Sequence, residues 1–567
     1  MGLSVPASRI TLNLLVFLGC AQAIGWSLPA NGESRANDDT GPRSPRIVNI
    51  INFVRLLEPR SAEITRDVLY QTVVEQIRVM RTYKLRGTFL LQYDALMDPR
   101  YQELMTGLPR DTFEIGAWWE IPQPLVEPAG LKWRGRYPWD WHADVGFSTG
   151  YTPAEREKLA DVYMQDFKNI FGHYPASVGS WFIDAHTLNY LCDKYKITAS
   201  CNCKDQYGTD GYTLWGGYWA QAYYPSRINS YMPAQHVEHQ LPVPVFRMLG
   251  SDPIRQYDQD LGSNGQGVIT LEPVYPFGGG DSVWVHWYFK EFTEGTVLGF
   301  MYAQTGQENS FTWNAMSKGF MIQMPLIAKL RDEHRVQVET LAESGKWFRE
   351  HYAATPATCV TVKKDIDGSD KKTIWFNSRF YRVSILWEKG HARIRDIHLF
   401  DERFPSIYTT GKATSNDCAF YTLPVVEGYL WSSKEVIAGM QLKAVTGGKE
   451  VILEGLDPEF SEPKPGVLHI SWPLKNVKGT LLIDLDEKRI RIELEHVSHQ
   501  SWYIELYAAP HTSLPFTKIG DKVIDCQFKG MDYSFRADEG TFVRSGGDGI
   551  FRIVPERNLL ILNLATR

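Results

Sequence analysis

The stretch Phe113–Gln123, FEIGAWWEIPQ, decides how this chain is read. It begins as an apolar, β-branched buried strand, runs into two adjacent tryptophans and a glutamate, and stops at Pro122. Aromatic and acidic side chains in place of turn residues suit a strand whose C-terminal end opens on a cleft. Trp118 and Trp119 then read as cleft wall and Glu120 as a group facing into it. Successive strand residues point to opposite faces, so at least one of the two tryptophans belongs to the core.

The flanking segments alternate strand and helix. RIVNIINFVRL is a strand, SAEITRDVLYQTVVEQIRVMRTYKL an amphipathic helix, and GTFLLQYDAL the next strand. Thr152-Pro153 starts a helix running to about Phe171, with Thr as cap and Pro in the first turn. Further strands are SVGSWFIDA, ITASCNCKDQ, VPVFRMLG, GVITLEPVY, VLGFMYAQT and the short RVQVET, with helices near 186–195, 284–294 and 315–333. Repeated strand–helix units imply parallel strands joined by right-handed crossovers. The expectation over residues 46–355 is an α/β fold, a seven- or eight-stranded (β/α) barrel, closed or nearly so. From 356 to 567 short alternating runs such as TIWFNSRFYRVSILW and GTLLIDLDEKRIRIELEHV predict an all-β sandwich.

Net charge is −6 and no Lys/Arg run stands out, which argues against a nucleic-acid partner. Arg9, the apolar run ITLNLLVFLG and Ala21–Ala23 read as a signal peptide over residues 1–23, so the chain is expected to be exported. Cys20 offers a competing reading, a lipid-anchored cysteine. Residues 24–45 read as a polar linker. No later apolar segment is long enough to span a bilayer. Cys192, Cys201, Cys203, Cys359, Cys418 and Cys526 have no regular spacing and read as buried free thiols.

Barrels of this kind carry their chemistry at the C-terminal strand ends. Those positions hold Asp94, Trp118, Trp119 and Glu120, then Asp184 and His186, Asp205 and Gln206, and Asp252. Glu272 with Tyr275, Gln304 with Glu308, and Glu339 complete the rim. Two carboxylates can cleave a glycosidic bond, one as acid and the other as base or nucleophile. The candidates are Asp184 with Glu120 or Asp252, with Glu272 close behind. Asp184 equally reads as the N-cap of the helix that follows. The loop WDWHADVGF places His142 among Trp139, Trp141 and Asp144, and His186 reads either as a site residue or as part of its helix. The unusual stretch 205–233 carries Trp215, Trp219, Tyr224 and Asn229 beside Asp205, and Tyr257 follows in GSDPIRQYDQD. Aromatic faces for a sugar ring, with polar groups for its hydroxyls, make this a candidate binding surface for an oligo- or polysaccharide.

The order GTFLLQYDAL, FEIGAWWEI, then FGHYPASVGSWFIDAHTLNYLCDKYKITAS resembles the glycoside hydrolase/deacetylase superfamily, which includes polysaccharide deacetylases. VETLAESGKWFREHY looks like that group's last barrel strand and helix. The chain is also similar to secreted proteins of gut Bacteroidetes that join such a barrel to a C-terminal β region. The resemblance covers about 46–355 and implies the barrel. It also implies a metal held by an Asp after the first strand and an H-x-x-x-H pair after EIG. Here the first strand runs NIINFVRLLEPR, and Trp118 and Pro122 stand at the two histidine positions. Without those ligands no cofactor is expected, and the reading moves to an exported carbohydrate-active hydrolase acting on glycosidic bonds. Two alternatives remain: a metal-dependent polysaccharide deacetylase or esterase using Asp184, His186 and His142, and a non-catalytic glycan-binding protein.

Overall fold

The computed structural model describes residues 44–495, 500–546 and 549–565. The signal peptide, Cys20 and nearly all of the linker reading lie outside them. Seven parallel strands line up side by side: β1 (Arg46–Val54), β2 (Gly87–Leu91), β3 (Phe113–Trp118), β4 (Ser177–Gly179), β5 (Ala199–Asn202), β6 (Val245–Arg247) and β7 (Met301–Thr305), with β7 pairing back onto β1. An eighth, β8 (Gln337–Glu339), runs parallel to the first half of β1, whose second half pairs with β2. The barrel is nearly closed. Between β6 and β7 no ladder forms, and Gln221 stitches the gap: its carbonyl accepts the Arg247 N–H at 3.0 Å, and its Oε1 accepts the Tyr302 N–H at 2.9 Å. GVITLEPVY, expected as a strand, is irregular; Gln323 of a neighbouring helix donates to the Leu271 and Gly279 carbonyls at 2.8 Å each, which meets backbone demand without a ladder.

Period-two alternation sorts β1 cleanly. Ile47, Ile51 and Phe53 fill the barrel interior, while Val48, Ile50 and Val54 join the outer core beneath the helices. The longer helices are α1 (Arg66–Thr82), α2 (Pro153–Phe171), α3 (Ala185–Tyr195), α4 (Ser282–Glu294), α5 (Thr312–Asp332) and α6 (Leu341–His351). Thr152 and Glu155 close a capping box at the start of α2, and Thr340 and Glu343 do the same for α6. Among the described residues no helix is long and apolar enough to cross a membrane.

Beyond the barrel lie two large antiparallel sheets. One of them places Thr358–Val362, Lys372–Asn377, Tyr381–Glu388 and His391–Leu399 consecutively; the other includes Val467–Pro473, Thr480–Leu485 and Arg489–Glu495. Their facing sides meet through ring contacts such as Trp387 with Trp472 and Phe535 with Phe551. Ser44–Arg567 forms one compact unit.

The join between barrel and sheets is built by the aromatic stretch 205–233. Tyr212–Trp215 pairs in parallel with Cys418–Tyr421. Trp219 stacks on Trp375 with ring centres 3.7 Å apart and planes 3° from parallel. Trp215 Nε1 donates to Glu427 at 2.5 Å, and the Tyr257 hydroxyl donates to the same carboxylate at 2.9 Å. Asp205 lies buried between Arg247 and Arg382, and Arg382 also grips Asp396 with two bonds of 2.8 Å. Such a seam needs large flat apolar surfaces with polar tips that find partners, and tryptophan and tyrosine supply both. All six described cysteines are buried and unpaired.

Candidate active site

A cleft of about 360 Å³ opens at the C-terminal ends of the barrel strands. Its walls are Trp139, Trp141, Phe147, Trp181, Tyr212, Tyr275 and Phe311, and its polar lining includes Arg55, Glu120, Lys204, Asp210, Glu272 and Glu308. Each polar group sits just past a strand or in a rim loop. Arg55 follows β1, Glu120 follows β3, Lys204 follows β5, Glu272 lies in the irregular segment after β6, and Glu308 follows β7.

Arg55 organises the floor. Its Nε and Nη2 donate to Glu120 at 2.8 and 2.6 Å, and its Nη1 forms an ion pair with Glu308 at 2.7 Å. Gln92 donates to Glu120 at 2.6 Å. Burial alone would lower the Arg55 pKa, but Glu120 and Glu308 hold it above the usual guanidinium value. The Arg55 guanidinium also lies 4.3 Å from the centre of the Trp139 ring. Glu120 is therefore neutralised and fixed.

Glu272 differs, because no cation bonds to it. It accepts hydrogen bonds from Thr270 Oγ1 at 2.9 Å and Gln307 Nε2 at 3.2 Å. Burial pushes its carboxyl up to about 7, only partly opposed by those bonds and by Lys204. Burial also raises Glu308, partly offset by Arg55 and by Ser310 Oγ, which donates at 2.7 Å. Burial lowers the Lys204 ammonium. The segment holding Glu272 packs tightly on α5: a Cβ on Gly319 would come within 2.2 Å of the Pro273 carbonyl oxygen, so only glycine fits. Leu249, also on the wall, adopts a left-handed φ of 78°, costly for a branched side chain, and its N–H donates to Gln304 at 2.6 Å.

Of the residues expected at the site, the structure brings Glu120 and Glu272 to the cleft, together with Gln206, Tyr275 and Glu308 from the wider rim and Trp139 and Trp141 from the loop after β3. It does not bring Asp184, which caps α3 through the Thr187 N–H at 2.8 Å and pairs with the fully buried Arg156 at 2.9 Å. Asp252 is likewise occupied, capping the Ile254 and Arg255 N–H groups and accepting Trp284 Nε1 at 2.9 Å. Trp118 stacks on Phe53 inside the barrel at 4.0 Å, and Trp119 sits edge-on to Tyr163 in the outer core. The two point to opposite faces, and neither forms the wall. Asp205, Trp215, Trp219 and Tyr257 belong to the seam. Tyr224 donates to the Tyr352 carbonyl at 2.8 Å, and Asn229 bonds into its own loop and toward Phe404. His186 faces Glu157 on the surface at 3.0 Å, and His142 lies edge-on to Trp141 without lining the cleft.

Asp184→Asn should accordingly cost about 3–5 kcal/mol of stability, since asparagine keeps the cap but leaves the buried Arg156 without its opposite charge. Activity per folded molecule should be unchanged. Thermal melting alongside turnover checks both parts.

Sequence reading missed Arg55 and Lys204. Each was visible as a lone cation one or two places past an apolar strand, in NFVRLL and SCNCKDQ. The metal reading does not fit this cleft. Its lining holds carboxylates and three cations but no histidine, and Arg55 occupies the space between Glu120 and Glu308. Among the described residues Asp184, His186 and His142 do not converge as a ligand set.

A nearly closed parallel barrel with an aromatic-walled, carboxylate-rich cleft at its strand ends is the class of protein that this geometry defines. No family model matches the chain, and no curated protein matches it. Among solved structures it is similar to a glycoside hydrolase/deacetylase of Parabacteroides distasonis, at 15% identity and a TM-score of 0.48, over 68% of this chain and 91% of that one. It is also similar to a polysaccharide deacetylase of Mycobacterium smegmatis, at 11% identity and a TM-score of 0.34, over 55% of this chain and 92% of that one. A 4-alpha-glucanotransferase of Thermococcus litoralis shares 10% identity and a TM-score of 0.30 over 92% of this chain and 99% of that one. At these values the likeness carries no activity to this chain.

Proposed function

We propose that the chain is an exported carbohydrate-active hydrolase whose cleft breaks glycosidic bonds, with Glu272 as proton donor and Glu308 as the second carboxylate. The observation that carries this reading is Glu272 itself, a carboxyl pushed up to about 7 inside a cleft walled by tryptophan and tyrosine. A carboxylic acid still protonated near neutral pH can protonate a departing glycosidic oxygen. The charge of Glu308 adds to burial in raising the proton affinity of Glu272, which favours a protonated Glu272 beside it. The donor set favours proton transfer between carboxylates over a metal-held water, because the cleft offers no imidazole ligand.

A panel of plant, host and microbial glycans, assayed for released reducing sugar and for released acetate, tests the reading. Reducing sugar released by wild type and not by Glu272→Gln supports it. Acetate release without chain cleavage would instead assign de-esterification. Binding with neither product would assign a glycan-binding protein.

Trp141 presents a half-buried ring at the cleft, stacked against Tyr137 at 6.2 Å and under Arg136 at 4.5 Å. Stacking on a sugar ring acts equally on substrate and transition state. Trp141→Ala should raise KM about tenfold and leave kcat nearly unchanged, as initial rates across substrate concentration will show.

A further inference from the structure

Away from the cleft, His236, His239 and Glu402 bring two imidazole nitrogens and a carboxylate oxygen to one point. Nδ1 of His236 lies 2.5 Å from Glu402 Oε1, and Nδ1 of His239 lies 2.7 Å from the same atom. All three donor atoms lie within 4.8 Å of one another. From this geometry we infer a binding site for a borderline-soft divalent transition-metal ion, zinc foremost, that ties the barrel to the β sheets.

The site is built rather than accidental. His236 caps the 3-10 turn Val237–His239 and His239 ends it, so their spacing of three places both rings on one side, 6.1 Å apart. Glu402 comes from the other side of the join, just beyond the strand His391–Leu399. Its Oε2 accepts the N–H groups of Gln235 and His236 at 2.8 and 2.9 Å, which fixes the carboxylate and leaves Oε1 to face the imidazoles. In return the Glu402 N–H donates to Gln235 Oε1 at 2.6 Å. Partners behind a ligand that fix its orientation are what a metal site requires.

The chemistry of the donors selects the ion. Zinc takes imidazole nitrogen and carboxylate oxygen at about 2.0–2.2 Å, so the two contacts with Glu402 Oε1 need only widen to about 3.3 Å to admit it. Glu402 is only 8% exposed, whereas the histidine side chains are 65% and 64% exposed. The open side thus leaves room for water as a fourth ligand. Because the ligands come from both sides of the join, the ion would hold the turn Val237–His239 to the segment beyond His391–Leu399. Calcium and magnesium prefer all-oxygen sites and should not bind here.

The test uses the untagged full chain, stripped with a chelator and titrated with Zn²⁺ by calorimetry and in thermal melts, with Ca²⁺ as control. Wild type should bind one more Zn²⁺ than His236→Ala/His239→Ala, and its Tm should rise with Zn²⁺ while the variant's does not. Ca²⁺ should do neither. Equal Zn²⁺ stoichiometry and equal Tm response in both proteins would overturn the assignment, as would a wild type that binds no zinc. Should the double variant fail to fold, His239→Gln, altering one exposed ring, takes its place with an expected loss of at least tenfold in affinity; unchanged affinity there refutes the site.

Discussion

Glu272→Gln is expected to lower hydrolysis about 10³-fold while glycan binding persists, because glutamine keeps the shape and one of the two oxygens that accept from Thr270 and Gln307 but has no acidic proton to give. In wild type the rate should fall as pH rises through about 7, where Glu272 loses its proton, and the residual rate of the variant should lack that limb. Stability should fall over the same pH range. The folded carboxyl titrates near 7 against an ordinary value of 4.5, so the folded chain holds this proton more tightly than the unfolded one. The resulting stabilisation is fully present below about 4.5 and is lost as pH rises through about 7. It amounts to about 3 kcal/mol at most, because the group is buried and its ionised form poorly solvated. The variant never pays this ionisation cost and should melt higher than wild type at pH 9. An inactive yet more stable protein is the signature of a group held in an unfavourable setting for its chemistry. A variant that is inactive and also less stable at every pH would reduce Glu272 to a packing residue.

The barrel was legible because β1, β2 and β3 are short apolar runs bounded by clear helix starts, and both capping boxes are written in the sequence as T-P-A-E and T-L-A-E. The cleft was legible in part, since the rule that chemistry gathers at strand ends picks out Glu120, Glu272, Tyr275 and Glu308. Composition misled at residues 205–233. A sugar platform and a buried seam call for the same residues, and only burial separates them: Trp215 and Trp219 are 0% and 3% exposed. Asp184 and Asp252 failed for a related reason, because a carboxylate at a strand end serves as a cap or an ion-pair partner as readily as a catalyst. Which of the acids remains free depends on where Arg156, Arg255 and Arg55 lie, and those arginines reach their partners across 28, 3 and 65 positions of sequence respectively. Pattern reading along the chain does not register the long-range neutralisation by Arg156 and Arg55, and at Asp252 it passes over a partner three positions away.

Arg55→Met carries the second large effect, this time on the scaffold. Methionine fills much of the arginine's space but leaves Glu120 and Glu308 buried without their cation. Removing one partner of a buried ion pair costs about 3–5 kcal/mol, mostly as the penalty of stranding the other charge. Here two carboxylates are stranded, while Gln92 and Ser310 remain to donate one bond to each. The loss should therefore be greatest at pH 8, where both carboxylates must stay ionised or take up protons unfavourably, and should shrink toward pH 5 as protonation relieves them. Arg55→Lys restores the charge but not the two-pronged grip on Glu120, so it should recover only part of the loss. Unfolding midpoints of the three proteins at pH 5 and pH 8 measure this directly. Equal midpoints at both values would mean that Arg55 does not hold the carboxylates of the cleft, and the division of roles between a fixed Glu120 and a proton-donating Glu272 would fall with it.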